Sequence, residues 1–585
     1  MRARSVGLVW TTPRQNLGRA VVLCLVALAL STFFWWPILA AYPSTQGGDG
    51  PPYFKTLEAA RVAVTRYHEL PLWNPYECGG LPLWDNPQAP AGAPLAWLML
   101  LFGTTITMTA WYVLHTAIGF LCMWVFARHD LGLSRAATFV ASCVWAFNGF
   151  HQQHYSGGHF TFVPFLYFPL ALYLWRRAEK SLLAAVAMGA LASWMFWEGG
   201  VYPLPHLALI LAAETLMRAW PARRLVPILR AAGVVALVAF VLSASRMLPV
   251  ADQLRSHTRS LGEETDHLVW STLKEMFLAR SHGRHVEGQE YVWPEFGAYI
   301  GPILLFLAIS GIFVGGLSNA WIVALLVYSF LLMMGHEGRL APWSILKGHV
   351  FPFKEMRVPS RFRCEVTLFL AALVGVALDR WPAVLRRLGR GYTPGRARAL
   401  LVAFALIGVG DMIGVGLSWF TGCFTGAPAA VVTPSTRLYY GGAGLAQMID
   451  QPSQNRGRLQ CWDEWGLYQG APLWEGDVPQ ARAGTPDVTV EVANRTQNTF
   501  TLDVDARAPG KVLLNSSFDY GWRASVGSLS EQNRELVLDV PAGKSHVELR
   551  YWPRLLTLGI VINVLGVLGV SAFLYDTLRK RRRLA

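Results

Sequence analysis

The sequence predicts a mainly α-helical polytopic membrane protein with an extracytoplasmic β-sandwich-like domain near its C-terminus. Three observations carry this. Hydrophobic residues make up 53% of the 585 positions and charged residues 15%, whereas a soluble globule carries about a quarter charged. Apolar runs of about 17 to 24 residues, long enough to cross a hydrocarbon core, recur from residue 19 to residue 420 and return at 554. Between 421 and 552 the pattern changes to short alternating runs separated by turn signals.

Taken in order, the apolar runs lie near 19–41, 106–127, 136–150, 160–175, 181–197, 202–217, 229–249, 298–316, 320–334, 364–379, 399–420 and 554–575, about twelve crossings. The run at 136–150 is short, and Pro164 and Pro169 interrupt the next, so one of these reads as re-entrant. The first run is too long, and too well followed by others, for a cleaved leader, and reads as a retained helix. Arg and Lys collect in alternate gaps: Arg14 and Arg19, Arg128 and Arg135, Arg176 to Lys180, Arg380 to Arg387, and Arg579 to Arg583. Short loops rich in these residues stay in the cytoplasm, which places both termini there in a bacterial cytoplasmic membrane. The domains then divide as a transmembrane part (1–420) with a first ectoloop at 43–92, the β-rich domain (421–552), and a last helix with a basic tail (553–585).

In the β-rich part, Val488–Val492, Phe500–Val504, Lys511–Leu514, Leu536–Val540 and His546–Tyr551 read as strands, with turns at Ala508-Pro509-Gly510 and Pro541-Ala542-Gly543. Lys and Arg exceed Asp and Glu by 51 to 37, a net charge of +14. Because the basic residues sit in short runs between apolar spans, not on one module, no nucleic-acid partner is expected; membrane lipids are. Seven cysteines show no metal or redox spacing; Cys423 and Cys461 can pair in an oxidising compartment.

All the unusual polar motifs fall on the outer side. In the first ectoloop, Asp49 lies between Gly48 and Gly50 where the first span surfaces, and is the candidate catalytic base; the bland reading is a turn residue. Phe54, Leu57, Ala60 and Val64 at helical spacing, with charges between them, suggest an amphipathic helix on the bilayer surface. Trp73, Asn74 and Asn86 then offer an aromatic face and amides of the kind that meet carbohydrate.

His151, His154 and His159 have a spacing that can gather a metal with Glu198 or His206, but no carboxylate or thiolate lies among them, so hydrogen bonding to sugar hydroxyls or phosphate is preferred and a divalent metal is not. Glu198 ends a span ahead of two glycines, where an acid is either paired or functional. Arg246, Arg357 and Arg361 lie at outer span ends, where guanidinium forks match phosphate oxygens; Arg363 reads as head-group snorkelling. Basic and histidine residues in 250–297, among them Arg259, Arg284 and His285, suggest a covering lid.

The chain resembles bacterial YfhO-type membrane proteins, which are similar to the GT-C glycosyltransferases. The matching pieces are GGDG after the first span, LPLWNPYECGGLPLWDNPQ, AFNGF at 146–150, MRVPSRF at 356–362, and Asn515-Ser516-Ser517 through GWRASV and VPAGKSHVELRYWP. That resemblance implies a GT-C-like fold and the inverting transfer of a sugar from a polyprenyl-phosphate donor to a cell-envelope glycan or lipid, with the first-ectoloop acid, Asp49, as general base and arginines holding the leaving phosphate. Other GT-C enzymes carry adjacent acids in this loop, whereas Asp49 is followed by Gly50, Pro51 and Pro52. Two other classes stand beside this one: a lipid-linked glycan transporter or flippase, which calls for midplane ionisable residues such as Glu214 and Asp411, and a non-catalytic glycan-binding scaffold.

Overall fold

The computed structural model describes residues 13–42, 44, 47–219, 225–257, 267–282, 292–336, 338–388, 393–420, 423–424, 437–441, 451–461 and 471–584. Six described helices are long and apolar enough to cross a membrane: Leu17–Phe34, Thr104–His129, Leu225–Ser256, Pro359–Arg387, Gly395–Phe420 and Leu556–Lys580. Pro302–Gly315 and Leu317–Met333, bent by 116° at their junction, add a seventh if they form one broken span. The chain is thus a mainly helical, multi-pass membrane protein with a β-rich region near its C-terminus.

The expected count of about twelve also included segments that form shorter helices. Arg135–Phe147 has 13 residues and Leu182–Trp197 has 16, and at 1.5 Å per residue both fall short of a core about 30 Å thick. The run from 160 begins as a 3₁₀ helix, Phe160–Tyr167, with Pro164 inside it, before the 11-residue helix Phe168–Ala178. Pro164 removes a backbone donor and helps break the run.

Two of the long helices form the centre of the bundle. In Thr104–His129 and Pro359–Arg387, 67% of the most apolar window is buried, against 17% in Leu17–Phe34, Leu225–Ser256 and Leu556–Lys580, whose outward faces are apolar as lipid contact requires. The ectoloop helix, Gly50–Tyr67, differs from its expected place on the bilayer surface: it is buried from Gly50 to Lys55, from Leu57 to Ala60, and at Val62 and Ala63. Its charges are paired inside the protein, Lys55 with Glu77 and Glu58 with Arg61 and Thr104. Periodicity located its apolar face, but the interleaved charges that resembled a wet face have internal partners.

The β-rich region holds two four-stranded antiparallel sheets. One runs in the order Ser528–Gln532, Glu535–Val540, Gly510–Ser517, Ala481–Ala483, and the other Val488–Arg495, Thr499–Ala506, Gly543–Tyr551, Trp522–Ala524. Val512, Leu514 and Leu538 from the first sheet and Leu502, Val547 and Leu549 from the second share one buried cluster. The ectoloop is tied into this region. Ser517 N and Ser516 Oγ both donate to Gly79 O at 2.9 Å, and Gln497 Nε2 donates to Ala59 O at 2.9 Å. Gly80 holds a φ of +115°, and a Cβ there would stand 2.1 Å from the Trp73 ring, so the Cys78-Gly79-Gly80 turn admits no side chain at its last position.

The disulfide joins Cys78 to Cys461 and not Cys423 to Cys461. The bond from Cys78 N to Arg458 O, 2.9 Å, sets the ectoloop turn beside the chain leading to Cys461. Cys423 instead stays just past the C-terminal end of Gly395–Phe420, its thiol bonded to Trp419 O at 3.0 Å. The partners of this bond are 383 residues apart, and local spacing carries no trace of their pairing.

Candidate active site at the first ectoloop

Asp49 is the residue before the helix Gly50–Tyr67, but its side chain makes no capping bond to that helix. The backbone fixes it instead: Asp49 N donates to Gly157 O at 3.0 Å. Gly158, at φ +87°, lies so close that a Cβ there would sit 2.2 Å from Gly50 N. The Gly-Gly pair at 157–158 is what lets the histidine turn and the GGDG loop meet. Asp49 is left about one-third exposed (32%), with Oδ2 3.1 Å from His159 Nε2. The positive end of an 18-residue helix adds to the stability of a carboxylate at this point.

Behind His159 runs a chain of hydrogen bonds whose direction an arginine sets. Arg363 Nη2 lies 2.9 Å from His154 Nε2. A guanidinium only donates, so His154 Nε2 accepts, and the proton of the neutral ring stands on Nδ1. His154 Nδ1 lies 2.6 Å from His159 Nδ1; it donates there, and the His159 proton is left on Nε2, facing Asp49. Burial first, then the Arg363 charge and His159, keep His154 well below the usual imidazole range, as a neutral ring requires.

Glu295 adjoins this chain. Arg361 grips it with both arms of the fork, Nε to Oε2 at 2.8 Å and Nη2 to Oε1 at 2.5 Å, while its own plane lies over the rings of Phe162 and Tyr202. Burial alone would raise the Glu295 carboxyl, but the Arg361 charge and hydrogen bonds outweigh it, with His159 and Arg363 adding to the pull, and hold it at about 2. Arg363 also donates to Gly297 O at 2.9 Å and to Pro294 O at 2.6 Å, which fixes the turn that presents Glu295.

His154, His159 and Glu295 place ligand atoms within 4.8 Å of one another, a donor set of the right type for a divalent cation. Their present partners do not suit one. The two imidazoles are bonded to each other, Glu295 is filled by Arg361, and Arg363 stands against His154. A cation would meet two guanidinium charges, so no step is assigned to a metal here.

Of the residues singled out in the sequence, Asp49, His159 and Arg361 come together. Arg357 is half-buried on the segment leading to Arg361. The others lie elsewhere. Arg246, 1% exposed, donates to the carbonyls of Phe196, Trp197, Asn86, Pro87 and Ala89, so its expected role as a phosphate ligand gives way to a structural clamp. Trp73 is 1% exposed and packs edge-on to Trp522 and against Tyr551, inside the seam between ectoloop and sheets, where no sugar can stack. Asn74 accepts from Tyr76 N and Asn86 from Gln88 N, both turn-forming bonds. Glu198 is buried and accepts from His115, Tyr167 and Trp194. His206 pairs with Glu365 at 2.9 Å, and His151 packs edge-on against Trp145 and Phe150, so neither joins the site. Arg259, Arg284 and His285 of the expected lid lie outside the described residues.

Glu295 and the positioning role of Arg363 are what sequence reasoning missed. An acid bracketed by Pro294 and Phe296, in an apolar run just ahead of a span, was the signal available.

No family model matches the chain, and no curated protein matches it in sequence. Among solved structures it is similar to the arabinofuranosyltransferase AftD from mycobacteria, determined by cryo-EM, at 16% identity and a TM-score of 0.44. That alignment covers 69% of this chain and 27% of the AftD chain, so this chain spans about a quarter of its length.

Proposed function

We propose that the chain is a GT-C-type membrane glycosyltransferase that moves a hexosyl or related sugar from a polyprenyl-phosphate carrier to an acceptor glycan or lipid on the outer side of the bacterial cytoplasmic membrane. The observation that carries this is the Asp49 carboxylate, about one-third exposed just beyond the first span, uncommitted to helix capping and met by His159 Nε2 at 3.1 Å. The order of motifs shared with YfhO-type proteins supports the same reading.

In the reaction Asp49 takes the proton of an acceptor hydroxyl as that oxygen bonds to the anomeric carbon. The bond from that carbon to the carrier phosphate breaks on the opposite face, and the phosphate leaves with the electron pair. His159 holds the carboxylate in place and stabilises its charge until the proton arrives. Arg361 holds Glu295, and we assign the leaving phosphate to Arg357 because its guanidinium fork matches phosphate oxygens and it lies half-buried on the segment leading to the site. The disulfide between Cys78 and Cys461 supports an oxidising, extracytoplasmic location for the ectoloop and the β-rich region. The Arg- and Lys-rich alternate gaps support a cytoplasmic side for both termini.

The acids that would mark a transport path are paired: Glu214 with Arg176 and Arg218, and Asp411 with Arg280 and Tyr299. This favours transfer over translocation. The test is sugar incorporation by purified chain carrying Asp49→Asn. A fall of about 10² to 10⁴ in rate is expected for loss of a general base, and unchanged incorporation at equal expression would remove Asp49 from the reaction.

A further inference from the structure

A cavity of about 650 Å³ lies well away from Asp49, between the last turn of the ectoloop helix and the outer strand Val488–Arg495. Its size falls within the range of small-molecule and oligosaccharide pockets. Arg66, Arg437 and Arg495 line it against one acid, Glu491, so its lining is basic. Arg66 donates to Ser453 O at 2.6 Å, and Arg495 donates to Gln480 Oε1 while lying over the Phe500 ring. These contacts orient the two guanidinium groups, each of which has five N–H donors to share. Tyr67 and the amides of Asn455 and Asn494 complete the wall, an aromatic surface and hydrogen-bonding groups suited to sugar rings and hydroxyls.

The cavity and Asp49 stand at opposite ends of one helix. Asp49 precedes Gly50, and Arg66 and Tyr67 close the same 18-residue element, which at 1.5 Å per residue spans about 27 Å. A ligand that reaches both is extended.

We propose that this cavity anchors an acidic oligosaccharide stretch of the acceptor, bearing carboxylate or phosphate groups, while another part of the same chain reaches Asp49. This rests on the transferase reading for its acceptor role, but the binding it assigns is measurable without turnover. The arginines supply charge, and the tyrosine and amides distinguish a sugar chain from a bare anion.

The experiment uses the full chain in detergent and four probes: a galacturonate hexamer, a sugar-phosphate oligomer, neutral maltohexaose, and tripolyphosphate. At least one acidic oligosaccharide is expected to bind tenfold or more tighter than maltohexaose and tripolyphosphate, with affinity falling as salt rises. Arg66→Gln combined with Arg437→Gln, both at exposed positions, should weaken it at least tenfold without lowering the apparent Tm, and Asp49→Asn should leave it unchanged. Absence of binding by both acidic oligosaccharides, equal binding of maltohexaose or tripolyphosphate, or an unaltered affinity in the double variant overturns the proposal. Full transfer by Asp49→Asn with acidic-probe binding intact would instead overturn the transferase assignment of Asp49 alone.

Discussion

Replacing His159 with Phe tests the hydrogen-bonded chain behind Asp49. The substitution removes the Nε2 donor that stands 3.1 Å from Asp49 Oδ2 and the Nδ1 acceptor that stands 2.6 Å from His154. A hydrogen bond to a charged group contributes about 1.5–3 kcal/mol. Asp49 is 32% exposed, so water takes over part of the lost bond and the lower end of that range applies. At about 1.4 kcal/mol per factor of ten, kcat should fall roughly 10- to 30-fold, less than the loss from Asp49→Asn. His159→Asn, which keeps an N–H donor, should recover part of the rate. The assay is initial-rate transfer from a labelled polyprenyl-phosphate sugar by purified chain, with the apparent Tm followed in parallel. In an Asp49→Asn background His159→Phe should cost little, because the two residues act as one unit. Equal cost in both backgrounds, or no cost at an intact fold, would refute the assignment of His159 to positioning the base.

Arg246→Met should prevent accumulation of folded protein, because it strands carbonyls of five residues at about 1–3 kcal/mol for each one left unsatisfied; a stable variant with selectively weakened donor binding would restore Arg246 as a phosphate ligand. Cys461→Ser should lower the apparent Tm, at a cost of about 2–4 kcal/mol, and leave Cys78 a thiol that is alkylated once the chain is denatured without reductant, whereas Cys423→Ser should do neither. Asp85 is buried with its carboxyl bound to Gln253, which also holds Asp519; burial first, then Asp519, push it up to about 7. A folded value above the unfolded one means stability fully present below about pH 4 and lost as pH rises through about 7. The native chain should therefore melt progressively lower from about pH 4 to about pH 7 on this account, and Asp85→Asn should flatten that slope; parallel curves would contradict it.

Much of the site was legible at the level of local chain. The glycines around Asp49 announced backbone that bends closely, whereas the part played by Gly157 and Gly158 in letting the two stretches meet is visible only in the fold. What was not legible depends on partners far apart in sequence. Arg363 opens a span and resembles a snorkelling residue until its guanidinium is seen to be fully buried against His154, 209 positions away. Trp73 and Asn74 have the composition of a sugar platform, but the same aromatic and amide chemistry builds the seam with Trp522 and Tyr551, and only tertiary contact separates the two. The β-strands were readable because their alternation is local, while the pairing of Cys78 with Cys461 follows from how the ectoloop turn docks against Arg458, Ser516 and Ser517.

That docking bears on how Asp49 is held. The helix Gly50–Tyr67 begins at the candidate base, is gripped along its length by the buried Lys55–Glu77 pair and by Gln497, and ends where Glu69 accepts from Thr496 at 2.8 Å. Glu77 itself adjoins Cys78, so the disulfide, the ion pair and the sheet contacts restrain one short stretch of ectoloop. A carboxylate on a loop bordered by glycines would ordinarily sample many orientations. Here its backbone is pinned at Gly157, its helix is pinned beneath the sheets, and its side chain meets a histidine whose tautomer an arginine dictates. The β-rich region thus contributes to the candidate site by holding the far end of the helix on which the base is mounted, and among the described residues it donates no side chain to it.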